Sequence, residues 1–417
     1  MRWGAIGFHR SLILLGGLAA AIGILLLLWR PLTIRGHLDR AQRLLAQRDH
    51  AGALDELRAA LRSDPARADT HLLLARTYRR LGELDKVPAL LRRAEVLGGD
   101  PERVQRERCL LMAQLGNLRE AEPHLADLLR DPRNDGADIC EAYVLGYFSN
   151  LQIRQAEALL DAWEKDFPGD PQPHFMRGYM YHAQRQDSEA VDAYRRGLAL
   201  APHDVTARHR LAKSLMQLSD LDQAAAELQQ CLDARPQDPE IRTTWAECLD
   251  QQGESNRARA VLAQLVAQFP EHFAARRLLG EIELSYGLPE RAVPHLESAA
   301  RLRPYDTTTR NALGRALRAL GRAAEAEPHF AYVAEAEESL GRMERQLRLV
   351  LERPDDVQLR YEIATTLLKY GSPDDGVRWL RTILQIQPDH EGALAAMAAF
   401  AGSSPSPDAA QRWTELP

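Results

Sequence analysis

Aromatic side chains make up only 6% of this 417-residue chain, and cysteine occurs four times. Cysteines at 109, 140, 231 and 248 are too few for a disulfide scaffold, and their separations of 31, 91 and 17 residues match no zinc-ligand spacing. The sequence has no G-x-S-x-G, G-x-x-x-x-G-K-[ST], H-E-x-x-H or C-x-x-C motif, so it offers no sign of an enzyme, a cofactor, a metal site or a small-molecule substrate. Lysine is also rare: Lys86, Lys165, Lys213 and Lys369 are the only four among 53 basic residues. That imbalance reads as coding composition. The net charge is −6, and residues 1–35 carry four arginines and no acid, which leaves −10 for the remainder. An acidic body of this kind argues against binding a nucleic-acid backbone.

What the chain does have is a period. Ala190, Ala224, Ala258, Ala292 and Ala326 are spaced at 34, and Ala156, Ala121, Val87 and Ala53 continue the register backwards with one slip of a residue. Twelve residues before that alanine stands a small residue (Ala75, Cys109, Gly178, Ala212, Ala246, Gly280, Gly314), and five before it a glycine (Gly82, Gly116, Gly253, Gly287, Gly321). Twelve after it comes proline, at Pro65, Pro168, Pro202, Pro236, Pro270 and Pro304. Apolar residues between these marks fall at helical spacing, as in Leu278, Leu279 and Ile282, then Ala292, Leu296 and Ala299. Glycine suits the turn where one helix stops, and proline ends the second. Each unit therefore reads as two antiparallel helices that cross at small residues, because a bulky side chain there would push the axes apart. A period of this length signals stacked units and an extended partner surface rather than a catalytic globule.

These residues resemble the tetratricopeptide repeat, a 34-residue helix–turn–helix unit used in protein–protein interaction. The resemblance covers roughly 36–392, in ten units starting near 36, 70, 104, 139, 173, 207, 241, 275, 309 and 359. It implies an all-α fold, a right-handed superhelical solenoid, with the first helix of each pair lining the concave side and binding protein or peptide partners.

The departures from the pattern make further expectations. Leu151, Arg185 and Ser219 replace the turn glycine in three consecutive units, so those turns must tighten differently or carry strain, and Val144 fills a small position. The period stretches to 50 between Ala326 and Gly376, and the insert 336–356 reads as a lengthened second helix that stops before Pro354. Pro88, Pro123, Pro294 and Pro328 fall early in second helices and predict mild kinks. The cysteines read as small buried hydrophobes, with a bridge between Cys231 and Cys248 as the alternative. His124, His295 and His329 share one repeat position, while His203, His272 and His390 fall in loops after the terminal proline, so repeat phase places them before any metal does.

Ser11 to Trp29 is a stretch of 19 residues without a charge, long enough at 1.5 Å per residue to span roughly 28 Å of hydrocarbon. Trp3 and Trp29 flank it and Arg10 and Arg30 bracket it, as at a membrane interface. A cleaved signal would carry a shorter apolar run followed by an A-x-A site, whereas Ala19 to Ala21 lie mid-stretch. The expectation is a single transmembrane helix over 11–29, after a short flank at 1–10, holding the chain in a bacterial-type inner membrane. Arg2, Arg10 and the terminal amine slightly outweigh Arg30 and Arg35, which leans towards an extracytoplasmic repeat array. A capping helix is expected at 393–402 and a disordered tail at 403–417.

On the first helices the pattern nominates a binding face that changes along its length. Phe148, Phe175, Tyr179 and His182 form an aromatic-rich part, and His209, Lys213, Arg277, Arg315 and Arg318, interleaved with Glu247, Asp250 and Glu281, form a charged part. Aromatic anchors would supply binding energy and charges would set register. The set of lysines, asparagines and Lys-x-x-x-Arg by which some of these repeats grip a C-terminal carboxylate does not occur on three consecutive units. The functional expectation is a membrane-anchored interaction scaffold or assembly factor. The alternative is a non-catalytic recognition subunit of an envelope enzyme or of a secretion or glycan system.

Overall fold

The computed structural model describes residues 34–133 and 135–403. Among these, every regular element is a helix. None is long and apolar enough to cross a membrane. The segment 11–29 and the tail 404–417 lie outside the described residues.

The chain divides into two compact bodies, the first ending at Pro132 and the second beginning at Arg133. The first holds helix 34–46 paired with His50–Ser63, Ala68–Arg80 with Val87–Val96, and Pro101–Gln114 with a broken helix ending at Arg130. The second begins with the pairs Gly136–Ser149 and Ile153–Asp166, Gln172–Ala183 and Asp187–Leu200, and Val205–Gln217 and Leu221–Ala234. It continues with Pro239–Gln251 and Ser255–Gln268, Phe273–Ser285 and Pro289–Leu302, Thr307–Ala319 and Ala323–Glu352, and Val357–Tyr370 and Pro373–Ile386. A last helix, Glu391–Ser403, packs on the final pair. Ile34 is already buried in helix 34–46, so the first pair starts ahead of residue 36. Ala68–Arg80 touches Pro101–Gln114 in the first body, and several first helices of the second touch the first helix of the next pair, closer than second helices approach one another. The first helices thus form the tighter layer.

Steric fit at the crossing sets the spacing. Ala53, Ala156, Ala190, Ala224, Ala258 and Ala292 are fully buried. Opposite them the small residues of the first helices leave no room for a side chain: a Cβ on Gly280 would lie 2.6 Å from Leu296, and one on Gly178 would lie 2.7 Å from the Tyr194 ring. Val144 occupies the same position in its pair and is fully buried. Across the first helices of the first body, buried Glu107 accepts hydrogen bonds from Arg76 and Arg79. A charge removed from water this way needs both partners.

Except in the last pair, where Gly371 has φ −123°, the turn between paired helices keeps one geometry whatever residue fills it. Gly82, Gly116, Gly253, Gly287 and Gly321 have φ between 70° and 83°, and Leu151, Arg185 and Ser219 adopt 60°, 64° and 60° in the same place. Arg48 does so as well, at 58°, in the first pair. The bonding is also shared: Gly253 N donates to Asp250 O and Glu254 N to Leu249 O, just as Arg185 N donates to His182 O and Gln186 N to Tyr181 O. These are Schellman-type closures of the helix end. The four non-glycine turns therefore carry strain rather than a different turn.

Entry into the next first helix is also repeated. Asp204, Asp238, Asp306 and Asp356 cap their helices by accepting a first-turn amide. His272 and His390 stand in the same place and accept through Nδ1, from Ala275 N at 3.2 Å and Ala393 N at 3.0 Å. An arginine four residues past the cap then donates back to the proline carbonyl of the preceding loop: Arg208 to Pro202, Arg276 to Pro270, Arg310 to Pro304 and Arg360 to Pro354. At these four places the latch ties a first helix to the loop before it, whereas Arg242 donates to Gln268 instead.

The second-helix prolines behave in two ways. Pro294 and Pro328 sit inside continuous helices. Around Pro123 the helix breaks into Leu118–Ala121, a 3-10 turn Glu122–His124 and Leu125–Arg130, and a 3-10 turn precedes Pro88. The stretched period corresponds to one helix, Ala323–Glu352, of 30 residues. All four cysteines are buried and free. Cys231 and Cys248 are not bridged, since each thiol instead approaches a carbonyl at 3.7 Å, that of Val205 and that of Leu221.

Glycine at a strained turn should stabilise the stack. A left-handed residue with a side chain costs roughly 1–2 kcal/mol, and added freedom of the unfolded chain returns part of that, so Arg185→Gly should gain about 0.5–1 kcal/mol. Gly253→Ala, where nothing crowds a new Cβ, should lose about 1 kcal/mol through backbone strain alone. Urea melts of both variants check this, and it fails if neither moves.

Candidate partner-binding face

The first helices of the second body carry the nominated residues, and the structure sorts them into four groups. Phe148, Tyr179 and Arg210 join across three consecutive helices. The Phe148 and Tyr179 rings meet edge to face at 5.7 Å, and the Arg210 guanidinium lies 5.4 Å from the Tyr179 ring centre. Tyr179 is 41% exposed, so this ladder presents an aromatic and a cation to solvent. Such contacts add cation–π attraction of about 0.5–1 kcal/mol at exposed sites. Arg210 was not among the residues the sequence singled out, although its 31-residue offset from Tyr179 equals that of Tyr179 from Phe148.

Phe175 does not belong to the face. It is 5% exposed and lies in the core with Tyr194, Leu198 and Leu211. Its ring fills the space left by Gly197 on the second helix of its own pair, where other pairs carry a side chain. The signal was in the sequence, since Gly197 stands seven residues after Ala190 where Cys231 and Ala299 follow their alanines.

His182 and His209 are half-buried and act as ties within the stack. His182 Nδ1 lies 2.6 Å from Asp187 and 3.1 Å from Ser214 Oγ on the next first helix. His209 Nε2 lies 2.8 Å from Thr244 Oγ1 one pair further on. Burial, with Lys213 adding to it, pushes the His209 pKa down to about 4. This imidazole is neutral at pH 7.

The charged part alternates in sign. Lys213 is exposed, Glu247 and Asp250 are half-buried, and Arg315 and Arg318 are exposed. Arg277 and Glu281 pair at 3.0 Å within one helix. Burial raises the Glu281 pKa above the usual carboxylate range, opposed by Arg277 and reinforced by Asp306 and Glu247. Arg318 stacks 4.8 Å from the Phe330 ring centre, which holds its guanidinium near the helix surface.

Comparison with known proteins agrees with the repeat. A tetratricopeptide repeat family matches residues 44–109 and 215–282, and a second tetratricopeptide repeat family matches 144–205. No curated protein matches the chain. Among solved structures, MamA is 20% identical over 42% of this chain and 94% of its own, with a TM-score of 0.33. YrrB, described as a tetratricopeptide repeat protein with an unusual peptide-binding site, is 20% identical over 49% of this chain and 98% of its own, with a TM-score of 0.31. PilF of Pseudomonas aeruginosa is 14% identical over 55% of this chain and 97% of its own, with a TM-score of 0.37. The matched stretches 44–109, 144–205 and 215–282 are similar to tetratricopeptide repeats.

The His209 tie makes stability depend on pH in a defined direction. The unfolded chain takes up a proton on this side chain below its ordinary value of 6.5, whereas the folded chain resists until about 4. Its stabilising contribution is therefore complete above 6.5 and is lost as pH falls through that window. Urea melts at pH 7.5 and pH 5 should show wild type losing more stability on acidification than His209→Gln, with parallel losses contradicting the assignment.

Proposed function

We propose that this protein is a membrane-tethered, non-catalytic scaffold that binds a protein or peptide partner on the first-helix face of its second body. The observation that carries the reading is the Phe148–Tyr179–Arg210 ladder, an aromatic anchor and a guanidinium exposed across three consecutive helices. Tyrosine and arginine dominate the energetics of interfaces, and both are exposed here. Lys213, Glu247, Asp250, Arg315 and Arg318 continue the face with charges that would fix the register of an extended or helical segment. The tether is the apolar stretch 11–29, with the inner membrane of a bacterium as the location and the repeats leaning to the extracytoplasmic side.

One experiment addresses tether and face together. Membranes carrying the full chain are washed with carbonate, solubilised, and the chain is recovered with its bound proteins. The chain should stay with the membrane through the wash, and the pair Phe148→Ala and Tyr179→Ala should weaken its main association by about 2 kcal/mol or more, roughly thirtyfold, without loss of helicity. Phe175→Ala is the control for core damage and should cost roughly 3–5 kcal/mol of stability. Release by carbonate would remove the tether, and a folded double variant that keeps its partner would remove the face.

A further inference from the structure

A second feature lies in the first body, separate from the face described above. A cavity of about 160 Å³ opens between its three first helices and is lined by Arg35, Arg67 and Arg103 together with Asp39, Asp69 and Gln42. Each arginine comes from a different pair: Arg35 from helix 34–46, Arg67 from the start of Ala68–Arg80, and Arg103 from the first turn of Pro101–Gln114. Arg103 donates to Asp69 at 2.9 Å. Arg35 is exposed, and Arg67 Nε is buried with no hydrogen-bond partner among the described residues. A buried donor left unpaired costs about 1–3 kcal/mol unless something fills the place.

The position of Arg67 sharpens the point. It occupies the N-cap of its helix and makes no side-chain cap bond. Equivalent caps elsewhere are aspartates at Asp100, Asp204, Asp238, Asp306 and Asp356 or histidines at His272 and His390, each accepting a first-turn amide. A helix N-terminus carries partial positive charge and open N–H groups, so a guanidinium there has the wrong sign. An anion placed between that helix end and the arginines turns the misfit into attraction.

We propose that this cavity binds a phosphate group, either free or on a lipid headgroup. Guanidiniums from three different helices approach from different directions, which the tetrahedral oxygens of a phosphate can meet where a planar carboxylate cannot. Three arginines against two aspartates leave one net positive charge, which matches the single charge of a phosphodiester and is too little for a polyanion. Arg35 follows the apolar stretch 11–29 by six residues, which keeps a headgroup within reach in sequence. The proposal stands independently of the partner-binding face.

The test uses the full chain in micelles of an uncharged maltoside detergent, with inorganic phosphate and short-chain phosphatidylglycerol as the two probes. Equilibrium dialysis of labelled phosphate and the shift in melting temperature with each probe are read. Saturable binding is expected, falling at least tenfold in Arg67→Gln and in Arg35→Gln but unchanged in Arg43→Gln, an exposed arginine outside the cavity. The Arg35 variant keeps the test decisive should the cap variant misfold. Phosphatidylglycerol binding tenfold tighter than inorganic phosphate would identify the headgroup as the source, and equal binding would identify free phosphate. Absence of saturable binding for both probes, or folded Arg35 and Arg67 variants that bind like wild type, overturns the proposal.

Discussion

The crossing of the two helices in each pair governs the rest of this structure. Where they meet, the second helix offers alanine (Val87 in one pair) and the first mostly alanine or glycine (Cys109 and Val144 in two pairs), so the axes come close enough for leucine and aromatic side chains to interlock around the contact. Ala258 has no exposed surface, and Gly280 has no space for even one carbon. Helix packing of this kind depends on volume at one point, since an extra methylene is paid by the whole ridge on either side. Repeating that point every 34 residues reproduces the same crossing, and the stack within each body follows from it.

Everything exposed takes its position from that repetition. The left-handed turn fixes where the second helix starts, the aspartate or histidine cap fixes where the next first helix starts, and the arginine latch to the proline carbonyl holds the two together. First helices then lie side by side. Only in that arrangement do Phe148, Tyr179 and Arg210, separated by 31 residues each, form one ladder. The same side-by-side stacking of first helices brings His209 to Thr244 and, in the first body, gathers three arginines around one cavity. Binding surfaces in such a stack are columns of residues, one per pair, so their chemistry can change along the column without disturbing the fold.

Much of this was legible in the sequence because the repeat is a steric pattern, and steric patterns survive in residue size. The crossing alanines, the small partners, the turn and the lengthened helix over 336–352 all show as volume or as glycine and proline. What stayed hidden depends on pairing between positions. Phe175 reads as a groove residue by phase, and only its fit against Gly197 sends it into the core. His272 and His390 read as loop residues because histidine is an uncommon cap, although they repeat the position of Asp306 and Asp356. The Arg208, Arg276, Arg310 and Arg360 latch is invisible in composition, since arginine is common everywhere in this chain. The turns at Leu151, Arg185 and Ser219 show the reverse case: the residue changed and the backbone did not, because the helices on both sides over-determine it.

The central claim is that volume at the helix crossing determines the fold, and a pair of isovolumetric changes two residues apart on one helix tests it most directly. Ala258 is fully buried at the crossing and Ala260 is exposed on the same helix. Leucine at 258 should overpack the contact and cost roughly 1–3 kcal/mol, while leucine at 260 should change stability by no more than about 0.5 kcal/mol. Thermal and urea melts of Ala258→Leu and Ala260→Leu decide the matter. A large loss at 258 alone is the expected result, and equal shifts at the two positions would contradict the account.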